Sequence, residues 1–148
     1  MSPPLKLSDL VDRGGSPTKW FQHHTGFSVQ LRYLPKSEFQ TMSRECTETR
    51  FNKKTHLREE EINAEKLTKL FTKTTVVSWK DLTVGRLRQL VPVKADAAIT
   101  DDTDIPFDLD AAMELVTSAY DFERWVRDIC LDISEFQSSE FGAELKNL

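Results

Sequence analysis

The chain has 148 residues, 39% of them apolar and 30% charged, with a net charge of -4. That is enough for one domain with a real core and too polar for a membrane bundle, while the scattered Lys and Arg exclude the concentrated basic face of a nucleic-acid binder. No apolar run approaches the roughly 20 residues a spanning helix needs, and the opening MSPPLKLSDLV lacks the basic-then-apolar order of a secretory leader.

Residues 1–18 are punctuated by Pro3, Pro4, Gly14, Gly15 and Pro17 and read as a flexible arm. Leu5, Leu7, Leu10 and Val11 allow one short helical turn within it. Trp20-Phe21 fits a first strand, and Thr25-Gly26 a turn. Phe27, Val29, Leu31 and Tyr33 then alternate with Ser28, Gln30 and Arg32, the period of a half-buried strand.

Pro35 closes that strand. Ser37 with Gln40 has the spacing of a capping box, opening a helix that buries Phe39, Met42 and Cys46. Thr47, Thr49 and Phe51, followed by Thr55 and Leu57, predict a short polar hairpin around Asn52-Lys53-Lys54. The adjoining runs Lys53, Lys54, His56, Arg58 and Glu59–Glu61 read as solvated faces.

Ile62-Asn63 opens the next helix, with Asn63 as the cap, Leu67, Leu70 and Phe71 as the buried stripe, and Ile62 and Leu67 at staple positions. Thr74–Val77 is β-branched, so it either ends this helix or extends it toward Trp79. Thr83 caps a short helix through Leu87 and Leu90, stopped by Pro92. Lys94–Thr103 has no apolar period and is expected to be a mobile loop.

Asp108 caps a helix carrying Leu109, Ala112, Met113, Leu115, Val116 and Ala119. Asp121 is expected to cap the next, in which Phe122, Trp125, Val126, Ile129, Cys130, Ile133 and Phe136 make a wide apolar face. Glu123 and Arg127 stand as a favourable pair one turn apart. A short link makes the two an antiparallel hairpin over 108–137. The expectation is a single α+β domain over 19–137: an N-terminal strand and hairpin region with two helices, then the C-terminal helical hairpin, with 138–148 a frayed tail.

No catalytic spacing emerges. Adjacent His23 and His24 would point to opposite faces of a strand and read as surface or sheet-edge histidines. His56 sits in the charged hairpin. Asp101, Asp102 and Asp104 lack the Gly and closing Glu of a calcium loop, and the five glycines are too dispersed for a phosphate loop. Cys46 and Cys130 lie in apolar stripes and read as buried free thiols. The chain is therefore read as a non-enzyme with no catalytic residues, cofactor or metal. Trp20, Phe21, Trp79, Leu82, Pro106 and Phe107 are the candidate protein-binding residues.

The phrase Thr75-Val76-Val77-Ser78-Trp79-Lys80-Asp81-Leu82-Thr83 leads to an acidic loop and then to Ile105-Pro106-Phe107 before a helix with Leu115. Asp121-Phe122, Trp125-Val126 and Leu131–Phe136 follow. This order resembles small tail assembly chaperones of siphophages and prophages, over about residues 19–137. Lys80-Asp81 stands where that family would carry a Gly-containing turn. The resemblance implies a protein that binds the tape measure protein, keeps it soluble and helps recruit tail tube subunits. It implies action in the host bacterial cytoplasm and absence from the mature virion; the charge distribution and the short apolar runs lead to the expectation of no nucleic-acid or membrane partner, and self-association is open. The resemblance also implies a longer form made by ribosomal frameshifting near Leu145-Lys146-Asn147, readable in the codons. The alternative is a structural tail completion or connector protein.

Overall fold

The computed structural model describes residues 6–10, 16–94 and 99–137. The elements run α1 (Leu7–Leu10), β1 (Thr18–Gln22), β2 (Ser28–Arg32), α2 (Lys36–Glu45), β3 (Thr47–Asn52), β4 (Leu57–Ile62), α3 (Ala64–Thr75), β5 (Val76–Lys80), α4 (Val84–Leu87), α5 (Leu109–Ser118) and α6 (Tyr120–Cys130). The fold is mixed α+β, with two antiparallel sheets ordered β1-β2-β5 and β3-β4.

β2 forms the middle of the larger sheet because its alternation offers one fully apolar face. Phe27, Val29 and Leu31 are buried, whereas Arg32 is exposed. Pairing with β5 shifts register between Gln30 and Leu31, since Gln30 faces Ser78 and Leu31 faces Val76. Val77 is the extra residue of this bulge. The bulge lets Val76 and Trp79, three apart, both turn into the core, which a regular strand forbids. α6 packs on β2, and α5 packs on both α3 and α6. The core they enclose includes Phe27, Leu34, Leu115, Phe122 and Val126.

Several expected signals are realised. Asn63 accepts from Lys66 N, Thr83 from Arg86 N and Asp108 from Ala111 N, so all three cap their helices. Arg127 Nη2 meets Glu123 Oε1 at 2.6 Å. Cys46 and Cys130 are buried free thiols. The β-branched run is divided between the two candidate elements: α3 ends at Thr75 and β5 begins at Val76.

Others are corrected. Pro35, not Ser37, stands at the start of α2, and no side chain caps it. Phe39 N donates to Pro35 O, so Ser37 already lies inside the first turn. Asp121 does not cap α6. Ala119 is at once the C-cap of α5 and the N-cap of α6, which places Asp121 in the first turn, where its charge still suits the helix dipole. Ile62 closes β4 instead of opening α3, because Asn63 N still bonds Cys46 O as a ladder partner. The C-terminal apolar face is not one helix: α6 stops at Cys130, a short helix resumes over 133–137, and Ile133 is exposed while Phe136 is buried.

Of the N-terminal arm only 6–10 and 16–18 are described. α1 is formed, with Leu7 and Leu10 both exposed. Leu5, Val11 and the 138–148 tail lie outside the described residues. Part of the expected mobile loop is pinned. Gly85 N donates to Asp101 O, Val84 N to Thr103 O, and Thr83 bridges Asp104. Arg88 adds an ion pair to Asp101 at 2.9 Å. A Cβ on Gly85 would lie 3.0 Å from Asp101 Cβ, so the absence of a side chain there lets the segment close over α4. Residues 95–98 of the same loop lie outside the described ones.

Candidate functional site

The pinned segment forms one wall of a mostly apolar concave feature. β5 supplies Trp79, and the residue after the next turn supplies Leu82. α4 and the chain beyond it supply Leu87, Val91 and Val93. Ile99 and Ile105 come from the returning segment, and Ala111 and Leu115 from α5. Together they surround a cavity of about 710 Å³, with exposed Lys94 and Glu114 as its charged lining residues. The size and mostly apolar lining fit a site that takes an apolar side chain or small apolar group.

Trp79 anchors this wall. Its indole Nε1 donates to Ile105 O at 2.9 Å, and Phe107 stands edge-on to its ring at 5.0 Å. Ile105 N in turn donates to Leu82 O at 2.7 Å. The Ile105-Pro106-Phe107 segment is thus stitched to the end of β5 before α5 begins.

The six sequence-derived binding candidates do not form one surface. Phe21 pairs with Val29, and Val29 with Trp79, so these three share the core-facing side of the sheet. Trp20 lies one residue away and therefore on the opposite side, in the row of Gln30 and Ser78, with Lys80 Nζ 4.7 Å over its ring. Trp20 is 41% exposed; Phe21 is half-buried and meets Phe136 edge-on at 5.3 Å. Trp79 and Leu82 are buried and reach the surface only as lining of the cavity. Pro106 is exposed and Phe107 half-buried. The remaining cavity residues, Leu87, Val91, Ile99 and Ile105, carry no local signal beyond being apolar; the return of the chain over α4 assembles them.

The histidine expectation is overturned for His23, whereas His24 is exposed as a surface histidine would be. β1 ends at Gln22, so His23 and His24 lie past the strand and its alternation does not separate them. Their rings lie 4.1 Å apart. His23 is 1% exposed, with Trp125 edge-on at 4.8 Å and Phe27 at 5.1 Å. Its Nδ1 shares a 2.8 Å hydrogen bond with Thr25 Oγ1, while Nε2 is buried without a hydrogen-bond partner. Burial, and then the nearby His24, push its pKa down to about 4, against the smaller opposing pull of Asp121. His23 is thus a neutral packing residue at pH 7. Burial likewise pushes the Cys130 thiol up to about 12, so it carries no thiolate for nucleophilic chemistry at neutral pH.

Among the described residues no group of three or more His, Cys, Asp or Glu side chains is placed to hold a metal ion. No described helix is long and apolar enough to cross a membrane. Comparison with protein-family models, curated proteins and solved structures returned no match.

Proposed function

We propose that this chain is a bacteriophage tail assembly chaperone that acts by binding, without catalysis. It holds the long helical tape measure protein soluble and helps bring tail tube subunits to it, in the host cytoplasm, and is absent from the finished virion. The observation that carries the reading is the apolar cavity of about 710 Å³ built from Trp79, Leu82, Ile105 and Leu115. The residues of the family resemblance, Thr75–Thr83 and Ile105–Phe107, are the ones stitched together at its wall. A helical client presents apolar side chains at i, i+3 and i+4, and a cavity of this kind receives one such anchor. The reading includes the arrangement typical of that resemblance, a strand and hairpin region with two helices followed by a C-terminal antiparallel helical hairpin. The single residue Ala119 between α5 and α6 supports that pairing.

The test is co-expression with the tape measure protein of the same phage. Wild-type chain is expected to keep the client in the soluble fraction. Ala111→Trp, which fills the cavity from a half-buried position, is expected to weaken client binding by about tenfold or more while thermal stability is kept. A tape measure protein that aggregates equally with and without the chain overturns the proposal. Mass spectrometry of purified particles separates it from the alternative, a tail completion or connector protein, which would be present in them.

A further inference from the structure

The β3-β4 hairpin stands apart from the main sheet. Among the described residues its strands pair only with each other. Every residue of β4 and Glu48–Phe51 of β3 are exposed, including Phe51 at 59% and Leu57 at 63%. A two-stranded ribbon of this kind is marginal alone, and each outer edge offers unpaired backbone groups to another strand.

The register tells which groups those are. Thr47 faces Ile62, Thr49 faces Glu60 and Phe51 faces Arg58. Asn63 N bonds Cys46 O, so Cys46/Asn63 is a hydrogen-bonded pair. By alternation Glu48/Glu61 and Arg50/Glu59 are hydrogen-bonded pairs too. Thr47, Thr49 and Phe51 therefore direct their N–H and C=O outward from β3, and Arg58, Glu60 and Ile62 do so from β4.

The two edges differ in how they meet a copy of themselves. On β4, a twofold axis at Glu60 would set Glu60 against itself and Glu59 against Glu61, and an axis at Glu59, which brings Arg58 opposite Glu60, would still set Glu59 against itself. Like charges directly opposite are destabilising, so this edge repels a second copy. On β3, a twofold at Thr49 sets Thr47 opposite Phe51 and Glu48 opposite Arg50, in both directions. Axes at Glu48 or Arg50 would oppose like charges, so only the Thr49 register is complementary. It also aligns the three outward-directed residues with one another, giving about six backbone hydrogen bonds across the junction. Arg50 already meets Glu61 at 3.3 Å, but its side chain is 67% exposed and a guanidinium has donors to spare for a second carboxylate.

We propose that the outer edge of β3 is a homodimerisation edge. Two copies pair antiparallel about Thr49 and join their hairpins into one four-stranded sheet, ordered β4-β3-β3-β4. The charge pattern selects a second copy of this chain as the occupant and closes the assembly at two, because the remaining β4 edges carry the repelling glutamates. This surface is distinct from the cavity, and the proposal does not depend on the chaperone reading.

The full chain would be examined by size-exclusion chromatography with light scattering over a concentration series. Wild type is expected to approach twice the 17.0 kDa chain mass. Glu48→Arg opposes Arg to Arg, and Arg50→Glu opposes Glu to Glu, so each alone is expected to run at the single-chain mass. An equimolar mixture of the two restores Arg–Glu pairs in both directions and is expected to recover the doubled mass. Thr49→Pro removes an outward donor without cutting the intramolecular ladder and is expected to be monomeric, which keeps the test intact if Arg50→Glu does not fold by circular dichroism. A wild-type chain that stays at single mass throughout, folded single variants that keep the doubled mass, or a mixture of folded variants that stays monomeric each overturns the proposal.

Discussion

Trp79 Nε1 donates to the carbonyl oxygen of Ile105 at 2.9 Å, across 26 positions of chain. This bond joins the end of the sheet to the segment that leads into α5. The Trp79 side chain is also nearly fully buried, so the donor is satisfied by this one acceptor.

Replacing Trp79 with Phe would keep an aromatic ring but leave Ile105 O without its donor and a gap beside Phe107. The expected loss is about 2 to 3 kcal/mol in urea unfolding. A loss below about 0.5 kcal/mol would mean that the bond contributes little to holding the segment.

His23 makes stability depend on pH. Its folded pKa of about 4 lies below the ordinary 6.5, so between those values the unfolded chain binds the extra proton. The contribution is complete above pH 6.5 and is lost as pH falls toward 4, with an expected total of about 3 kcal/mol. His23→Phe removes the titrating group and is expected to flatten this part of the profile. Urea midpoints at pH 7, 5.5 and 4.5 measure it, and an unchanged slope in the variant would assign the acid sensitivity elsewhere.

Asp81 has a φ of +63°, where a Cβ is disfavoured. Its carbonyl accepts from Arg86 Nη1, a bond that any residue at this position keeps. Asp81→Gly is expected to hold or raise stability by up to about 1 kcal/mol, and Asp81→Val to lose about 1 to 2 kcal/mol. Equal melting temperatures for the two variants would show that this backbone angle relaxes on substitution.

Phe122 and Trp125 are neighbours on α6 with different exposure. Phe122 is 0% exposed and stacks on Phe27 at 5.9 Å, whereas Trp125 is half-buried. Phe122→Ala is expected to cost about 3 to 5 kcal/mol, and Trp125→Ala less. Chemical denaturation orders the two. The reverse order would place the centre of packing at Trp125 and its edge-on contact with His23.

The candidate site was only partly legible. Trp79, Leu82 and Phe107 stood out as large apolar residues beside turns; Trp79 and Leu82 do line the cavity, and Phe107 packs on the Trp79 ring. Leu87, Val91 and Ile99 did not, because an apolar residue near a helix end looks the same whether it faces a core or a cavity. Trp20 and Phe21 looked equivalent in sequence; the register Phe21–Val29–Trp79 puts them on opposite sides of the sheet.

What the chain determines by itself is local. The alternation of Phe27 to Tyr33 specifies β2, and the oxygens of Asn63, Thr83 and Asp108 specify three helix starts, since a cap needs only an acceptor three residues from a free amide. The apolar spacing from Phe122 to Cys130 specifies the buried side of α6 by the same short-range geometry. What the tertiary structure alone decides depends on segments far apart. The bulge at Val77 turns Val76 and Trp79 to one face, residues 99–105 fold back over α4 through Gly85, and His23 is enclosed by Phe27, Phe122 and Trp125. Each of these depends on which strand or helix arrives opposite, and the free energy that selects it is released only when those distant partners meet.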